Sequence, residues 1–328
     1  MIENVGTRFE PGAGQAMGAI KHLIAGVKRG LGLHQPGRSL VLLPDDVFLV
    51  SYPKSGNTWA RFLLANLLHP EQPVTFANLR RLVPDFDGGG TKRDFDQMPR
   101  PRIIKSHGCF DPHYPRVIYI VRDPRDVAIS QYHYHRKRRK IEDDFPIERF
   151  VAQFITGETW DNASWGQNVL TWVATREGDR RFLLLRYEDM IADTRRELKK
   201  VAAFLGLHVT DEQIACAVER SSAGKMRKME QSQSEKSGLT KGSRKDLSFV
   251  RAASAGGWRS ELPPPLVNKI EAAWGTIMQH LGYELTTHDT ISVADVPLLA
   301  VPGQGDLKGQ TLMRSADDSL ANGSESRL

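Results

Sequence analysis

Three clusters in this sequence carry side chains that do chemistry, and each stands where a strand pattern ends. The densest is Tyr52-Pro53-Lys54-Ser55-Gly56-Asn57-Thr58-Trp59, between the apolar run Val47–Ser51 and a helical pattern over 59–68. A strand-to-helix junction offers unclaimed backbone N–H groups and the positive end of a helix dipole, which together cradle phosphate. Gly56 allows close backbone approach, Ser55 and Thr58 offer hydroxyls, and Lys54 adds a point charge. The lysine precedes the glycine, so this is not the Walker A order, in which Lys follows Gly.

The second cluster runs Arg122-Asp123-Pro124-Arg125-Asp126 to Ser130. Arg122 follows the apolar run at 117–121, and open α/β sheets bind ligands at carboxyl ends of strands. An arginine there binds phosphate bidentately, and Ser130, two turns into the next helix, completes the set. Taken alone, the cluster is better read as an Arg–Asp surface pair, Arg122 with Asp126 or Arg125 with Asp123. The third cluster, Lys105-Ser106-His107, ends a strand at 103–105. A lone histidine is usually structural; one at the same sheet edge as Lys54 and Arg122 becomes a general base, with two lysines for electrostatic stabilisation.

The elements that must position these residues follow from periodicity. Short apolar runs at Val47–Ser51, 103–105, 117–121 and 182–185 alternate with helical patterns at 125–139, Ile147–Thr156, Trp165–Arg176, Asp211–Arg220 and 266–281. Asp193 or Thr194 caps a further helix that Gly206 ends. Strands alternating with helices predict one α/β domain with a central parallel β-sheet flanked by helices, P-loop-like in its first turn, over residues 44–285. Residues 224–257 are polar and basic, and so long a polar stretch within a domain predicts a functional lid.

The chain has 328 residues, 45 Lys+Arg against 39 Asp+Glu, and a net charge of +6. The charge is uneven: the acidic segment from Thr286 onward carries −3 and the preceding body +9. The tail, poor in apolar period, is read as disordered. Segment 14–33 is basic and amphipathic enough for peripheral membrane contact, but its glycines favour a surface segment of a partly ordered extension over 1–43. Two cysteines, Cys109 and Cys216, suggest a reducing compartment; with no apolar span or leader pattern, the expected location is cytoplasmic. A basic body wants an anionic partner. The run Arg136-Lys137-Arg138-Arg139-Lys140 is read as a solvated helix end rather than a nucleic-acid surface.

The motifs YPKSGNTW, RIIKSH, VRDPRDVAIS and LLLRYEDM, in this order and spacing, resemble those of the cytosolic-type (family 1) sulfotransferases over about residues 44–285. The resemblance implies the sulfotransferase fold and transfer of a sulfuryl group from 3′-phosphoadenosine 5′-phosphosulfate (PAPS) to a hydroxyl or amine. It implies that Lys54, Ser55, Gly56, Asn57, Thr58 and Trp59 form the 5′-phosphosulfate loop, with Trp59 packing on adenine. Arg122, Ser130 and Arg251 would hold the 3′-phosphate, Tyr187 and Ser221 would contact adenine, and His107 would be the base, assisted by Lys54 and Lys105. Sulfuryl carries less charge than a terminal phosphate, so lysines and N–H groups serve and no metal is expected. Glu188 and Asp189 are read as capping or orienting residues. The late Arg-Lys-Gly signature is reduced to Arg251-Ala252-Ala253, Ala223 replaces an aromatic wall, and the family's dimer motif is not recognisable, leaving the oligomeric state open. Candidate acceptor-lining segments are 86–98, 145–154 and 224–250.

Three competing readings are weighed against this. A P-loop kinase or ATPase needs a lysine after the glycine. A nucleic-acid-binding protein would rest on the 136–140 run alone. A non-catalytic PAPS-binding relative has no need of His107 and Lys54 together.

Overall fold

Apolar residues of both parities in the strand patterns require burial on both sides, and the structure, a computed structural model, supplies it. It describes residues 40–87, 95–160, 163–233 and 241–286. Four parallel strands, β1 (Val47–Ser51), β2 (Ile103–Ser106), β3 (Arg116–Val121) and β4 (Phe182–Arg186), lie in the order β2-β1-β3-β4. In β1, Phe48 and Val50 face one layer and Val47 and Leu49 the other, as strand alternation dictates.

The helices are α1 (Asn57–Leu68), α2 (Leu79–Leu82), α3 (Pro124–Lys137), α4 (Ile147–Thr156), α5 (Trp165–Arg176), α6 (Tyr187–Ala192), α7 (Thr194–Leu205), α8 (Asp211–Arg220), α9 (Ala223–Gln233), α10 (Trp258–Glu261) and α11 (Pro264–His280). One core joins Phe48, Val50 and Tyr119 to Phe150, Trp165, Trp172 and Ile270 of α4, α5 and α11. The other joins Val47, Leu49 and Ile118 to Phe62, Leu198 and Ile214 of α1, α7 and α8.

Capping accounts for several boundaries. Asp123 accepts the Arg125 N–H with Pro124 leading the helix, so α3 begins there and not at Arg125. Asp193 accepts from Arg196 N, and Gly206, at φ 74°, closes α7. Helix α1 begins two residues before the expected Trp59, because Asn57 is already tied beneath β1: its Nδ2 donates to Leu49 O (3.3 Å) and Ser51 Oγ (3.2 Å). Residues 224–233, part of the polar stretch read as a lid, are helical; Met226 and Glu230 of α9 are buried, so the polar composition hid a helix with a narrow packed face.

Strand order carries the functional consequence. The chain leaves β1 to pair β2 on one side, then crosses to β3 on the other. The crevice beyond the carboxyl ends of β1 and β3 is therefore the switch point where such sheets bind ligands. Register brings the ends level: Val50 pairs with both Ser106 and Tyr119, and Val121 with Arg186. The expected N-terminal surface segment 14–33, the tail beyond Thr286 and the glycines 88–90 lie outside the described residues.

Candidate active site

Each strand end delivers one piece of the site. After β1 the chain turns through Tyr52–Gly56 with Lys54 at φ 70° and Gly56 at φ 97°. Those left-handed conformations reverse the backbone so that α1 starts with Gly56 at its N-cap and no capping side chain. Its first-turn N–H groups remain for a ligand. Gly56, Asn57, Thr58 and Trp59 line a cavity of about 470 Å³ with Lys54, His107, Arg122, Ser130, Tyr187 and Arg251.

Arg122, after β3, donates to Lys54 O (3.2 Å) and Ser254 O (3.2 Å), and its Nε is buried with no partner. Its guanidinium lies 4.4 Å from the Tyr187 ring centre. The two pairings raised by the sequence exist but are buried rather than at the surface: Asp126 is 3.8 Å from Arg122, and Arg125 bonds Asp123 at 2.7 Å. Asp126 is mainly occupied otherwise, accepting the N–H groups of Gly256 (2.7 Å) and Trp258 (2.9 Å). Glu188 accepts from Asp123 N (3.0 Å) and the Tyr283 hydroxyl (3.0 Å).

The His107 ring is set by β1. Nδ1 lies 2.7 Å from Ser51 O, and a carbonyl only accepts, so Nδ1 carries the proton and Nε2 the lone pair. Burial first and the Lys105 charge second hold its pKa well below the imidazole range, opposed by the bond to Ser51 and the nearby Asp85. The imidazole is therefore neutral, as a base must be. Its backbone N–H is held by Asp87 Oδ2.

Lys54 Nζ sits 4.5 Å from the Tyr134 ring centre and 4.6 Å from that of Phe249. Burial, then repulsion from Arg122 and Arg251, pulls its pKa down to about 7. Arg251 reaches the cavity while bonding both oxygens of Glu261 (2.6 and 2.8 Å). Trp59 meets Tyr187 edge-on at 5.9 Å, two rings framing one end of the cavity.

Three sequence-selected side chains do not line the cavity. Lys105 is turned onto Asp85 (2.9 and 3.0 Å) with Asp87 at 3.8 Å. The reason is long-range: residues 84–86 return along the free edge of β2, exchanging Lys105 N→Pro84 O and Phe86 N→Lys105 O bonds of 2.9 Å each, and bring both carboxylates with them. Ser221 closes the end of α8, and its hydroxyl meets Asn66 Nδ2 (3.1 Å) inside the protein; its carbonyl accepts from Trp59 Nε1 (3.1 Å), so it steadies that ring from behind. Ser222 and Ala223 line the cavity in its place. Ser55 is fully buried, its hydroxyl unpartnered, beneath the turn.

Conversely, Tyr134 and Trp160 line the cavity without having been singled out, while Met226 and Phe249 come from the segment 224–250 expected to line a binding site. Tyr134 had a legible signal: it stands four residues after Ser130 on α3, hence on the same helix face. The seat of Phe249 over Lys54 had none, since nothing local says that residue 249 returns to residue 54.

The residues present suit an anionic purine nucleotide. Three cations, an uncapped helix start and an unpartnered Arg122 Nε answer negative charge, while Trp59 and Tyr187 answer a flat base.

Comparison with known proteins agrees with that geometry. The family model described as "Sulfotransferase domain" matches residues 44–282. Cytosolic sulfotransferase 12 of Arabidopsis thaliana is 28% identical over 248 residues, covering 69% of this chain and 75% of that protein. Sulfotransferase 1A1 of Bos taurus is 30% identical over 208 residues, 59% of this chain and 70% of its own. Among solved structures, mouse sulfotransferase SULT7A1 complexed with PAP superposes with TM-score 0.58 at 27% identity, covering 74% of this chain and 86% of that one. With a strand-end anion cradle on a β2-β1-β3-β4 sheet and a matching family model over most of its length, this chain belongs to the sulfotransferase domain family.

Proposed function

We propose that the protein transfers a sulfuryl group from PAPS to a hydroxyl or amine of a small-molecule, lipid or glycan acceptor, with His107 as general base. One observation carries this reading. Lys54, His107, Arg122 and Tyr187, each just beyond the end of a different strand, line one cavity. PAPS supplies the activated sulfuryl group and a phosphoadenosine leaving group; the chain's residues position and stabilise.

The first-turn N–H groups of α1 with Lys54 receive the phosphosulfate end. Arg122, Ser130 and Arg251 receive the 3′-phosphate, and Trp59 and Tyr187 flank the adenine. His107 Nε2 accepts the acceptor's proton, and the Ser51 carbonyl holds the imidazolium that results through Nδ1–H. Lys54 neutralises charge developing on the leaving oxygen. Lys105 acts at one remove, through its field on His107 and its grip on the 85–87 segment that holds the His107 backbone. Cytoplasmic placement is part of the proposal, supported by the chain's having only two cysteines, Cys109 and Cys216, and by its similarity to a cytosolic sulfotransferase of Arabidopsis thaliana.

The test is calorimetric titration with 3′,5′-bisphosphoadenosine (PAP), followed by sulfonation of an acceptor panel. Micromolar or tighter binding, retained in His107→Ala while turnover is lost, is expected. A wild-type protein that does not bind PAP, or a His107→Ala variant with unaltered turnover, refutes the reading.

A further inference from the structure

The basic run at 136–140 has no part in the site just described, yet its second member is not solvated. Lys137 is a buried lysine, its side chain 5% exposed. An ammonium has three N–H donors, and Lys137 Nζ meets three acceptors: Arg244 O (2.9 Å), Leu247 O and Glu230 Oε1 (3.1 Å). Its own carbonyl accepts Arg244 N (3.0 Å), and the neighbouring Arg138 donates to Lys241 O (3.1 Å).

Glu230, on α9, completes the arrangement. While Oε1 holds Lys137, it also accepts Phe249 N (2.6 Å), and Oε2 accepts Val250 N (3.1 Å). One carboxylate thus ties α3, α9 and the backbone of 249–250 together. What that backbone carries is the cavity wall: Phe249 covers Lys54 Nζ, and Val250, Arg251, Ala252 and Ala253 line the cavity. Arg227, one turn earlier on α9, fixes the same stretch by donating to Val250 O (3.1 Å) and Arg251 O (2.6 Å).

We propose that Lys137 and Glu230 are positioning residues for the donor nucleotide: their buried ion pair clasps residues 244–250 to the end of α3, setting Phe249 over Lys54 and presenting Arg251 to the cavity. The clasp matters more here because Ala252 and Ala253 add neither charge nor glycine backbone, leaving Arg251 as the cation this stretch offers the cavity. The inference rests on the reading of the cavity as the donor site. It predicts that breaking the pair weakens the donor far more than the acceptor, since the wall it holds presents Arg251 and neither residue touches His107.

The test compares Lys137→Met and Glu230→Gln with wild type, using Arg181→Ala, a change in an exposed pair, as a control. Expected for both are a Kd for PAP and a KM for PAPS raised roughly ten- to hundredfold, the range of a typical coupling between sites. The KM for acceptor should change less than about twofold, and tryptic cleavage between residues 241 and 251 should rise without ligand. The double variant should be no worse than the poorer single one, because both remove one clasp. If Lys137→Met fails to fold, the nearly isosteric Glu230→Gln decides. PAP affinity within about twofold of wild type in a folded variant overturns the clasp while leaving the functional reading intact. A wild type that binds no PAP overturns both.

Discussion

The Tyr187 ring rests directly on the α-carbon of Gly56: a Cβ at position 56 would lie 2.5 Å from Tyr187 Cδ2. The turn after β1 and the residue after β4 are therefore packed as one unit, and the Arg122 guanidinium lies 4.4 Å from the centre of the same ring. Gly56→Ala should lose about 2 kcal/mol or more of stability, from the φ of 97° and the overlap together. PAP binding should fall with it. Thermal denaturation of Gly56→Ala, Tyr187→Ala and the double variant checks this: the double variant should lose less than the sum of the single losses, and strict additivity contradicts the contact.

Lys54 makes donor binding proton-linked. With a pKa of about 7 in the unliganded protein, part of the Lys54 population is neutral at pH 7.5. An anionic ligand favours the charged form, so its pKa rises on binding and a proton is taken up. Affinity for PAP should then weaken as pH climbs through 7 and above. Calorimetry at pH 7.5 in buffers of different ionisation enthalpy should report net uptake, and Lys54→Met should abolish that component. Equal apparent enthalpies in all buffers for wild type would refute the linkage.

For His107 the sign runs the other way. A base works unprotonated, and its pKa is held below the ordinary 6.5. The acid limb of kcat/KM should accordingly lie below that value, and activity should persist at pH 6. His107→Ala should lose roughly 10²–10⁴ in kcat with PAP affinity retained. An acid limb centred at or above 6.5 would mean that the imidazole is more hydrated in solution than its contacts indicate.

Ala253 occupies a left-handed backbone conformation, φ 52°, that glycine adopts without strain. Ala253→Gly should relieve about 1 kcal/mol of strain, offset in part by a more flexible unfolded chain, for a net gain of about 0.5 kcal/mol. The melting temperature should rise by a degree or two, roughly as expected for a domain of this size. A fall in melting temperature would show that the Ala253 methyl makes packing contacts worth more than the strain.

Much of the site was legible because its pieces are local. A strand, a turn with Gly56, and a helix start are written within a dozen residues, where backbone hydrogen bonding and capping act. Apolar alternation settled that the sheet is covered twice, and the position of Arg122 at a strand end settled which edge it serves. What the sequence left undecided depends on which distant segments come back. Residues 84–87 return to the edge of β2 and take Lys105 out of the cavity. The end of α8 turns Ser221 inward. Glu230 and Lys137, 93 positions apart, meet to hold Phe249 over Lys54. Such pairings are set by burial of whole faces and by the need to satisfy buried charges, and neither leaves a signal in local spacing. By itself, then, the sequence determined the chemistry available at the strand ends. Only the tertiary structure decided which of those groups face the cavity, because that turns on partners brought from far along the chain.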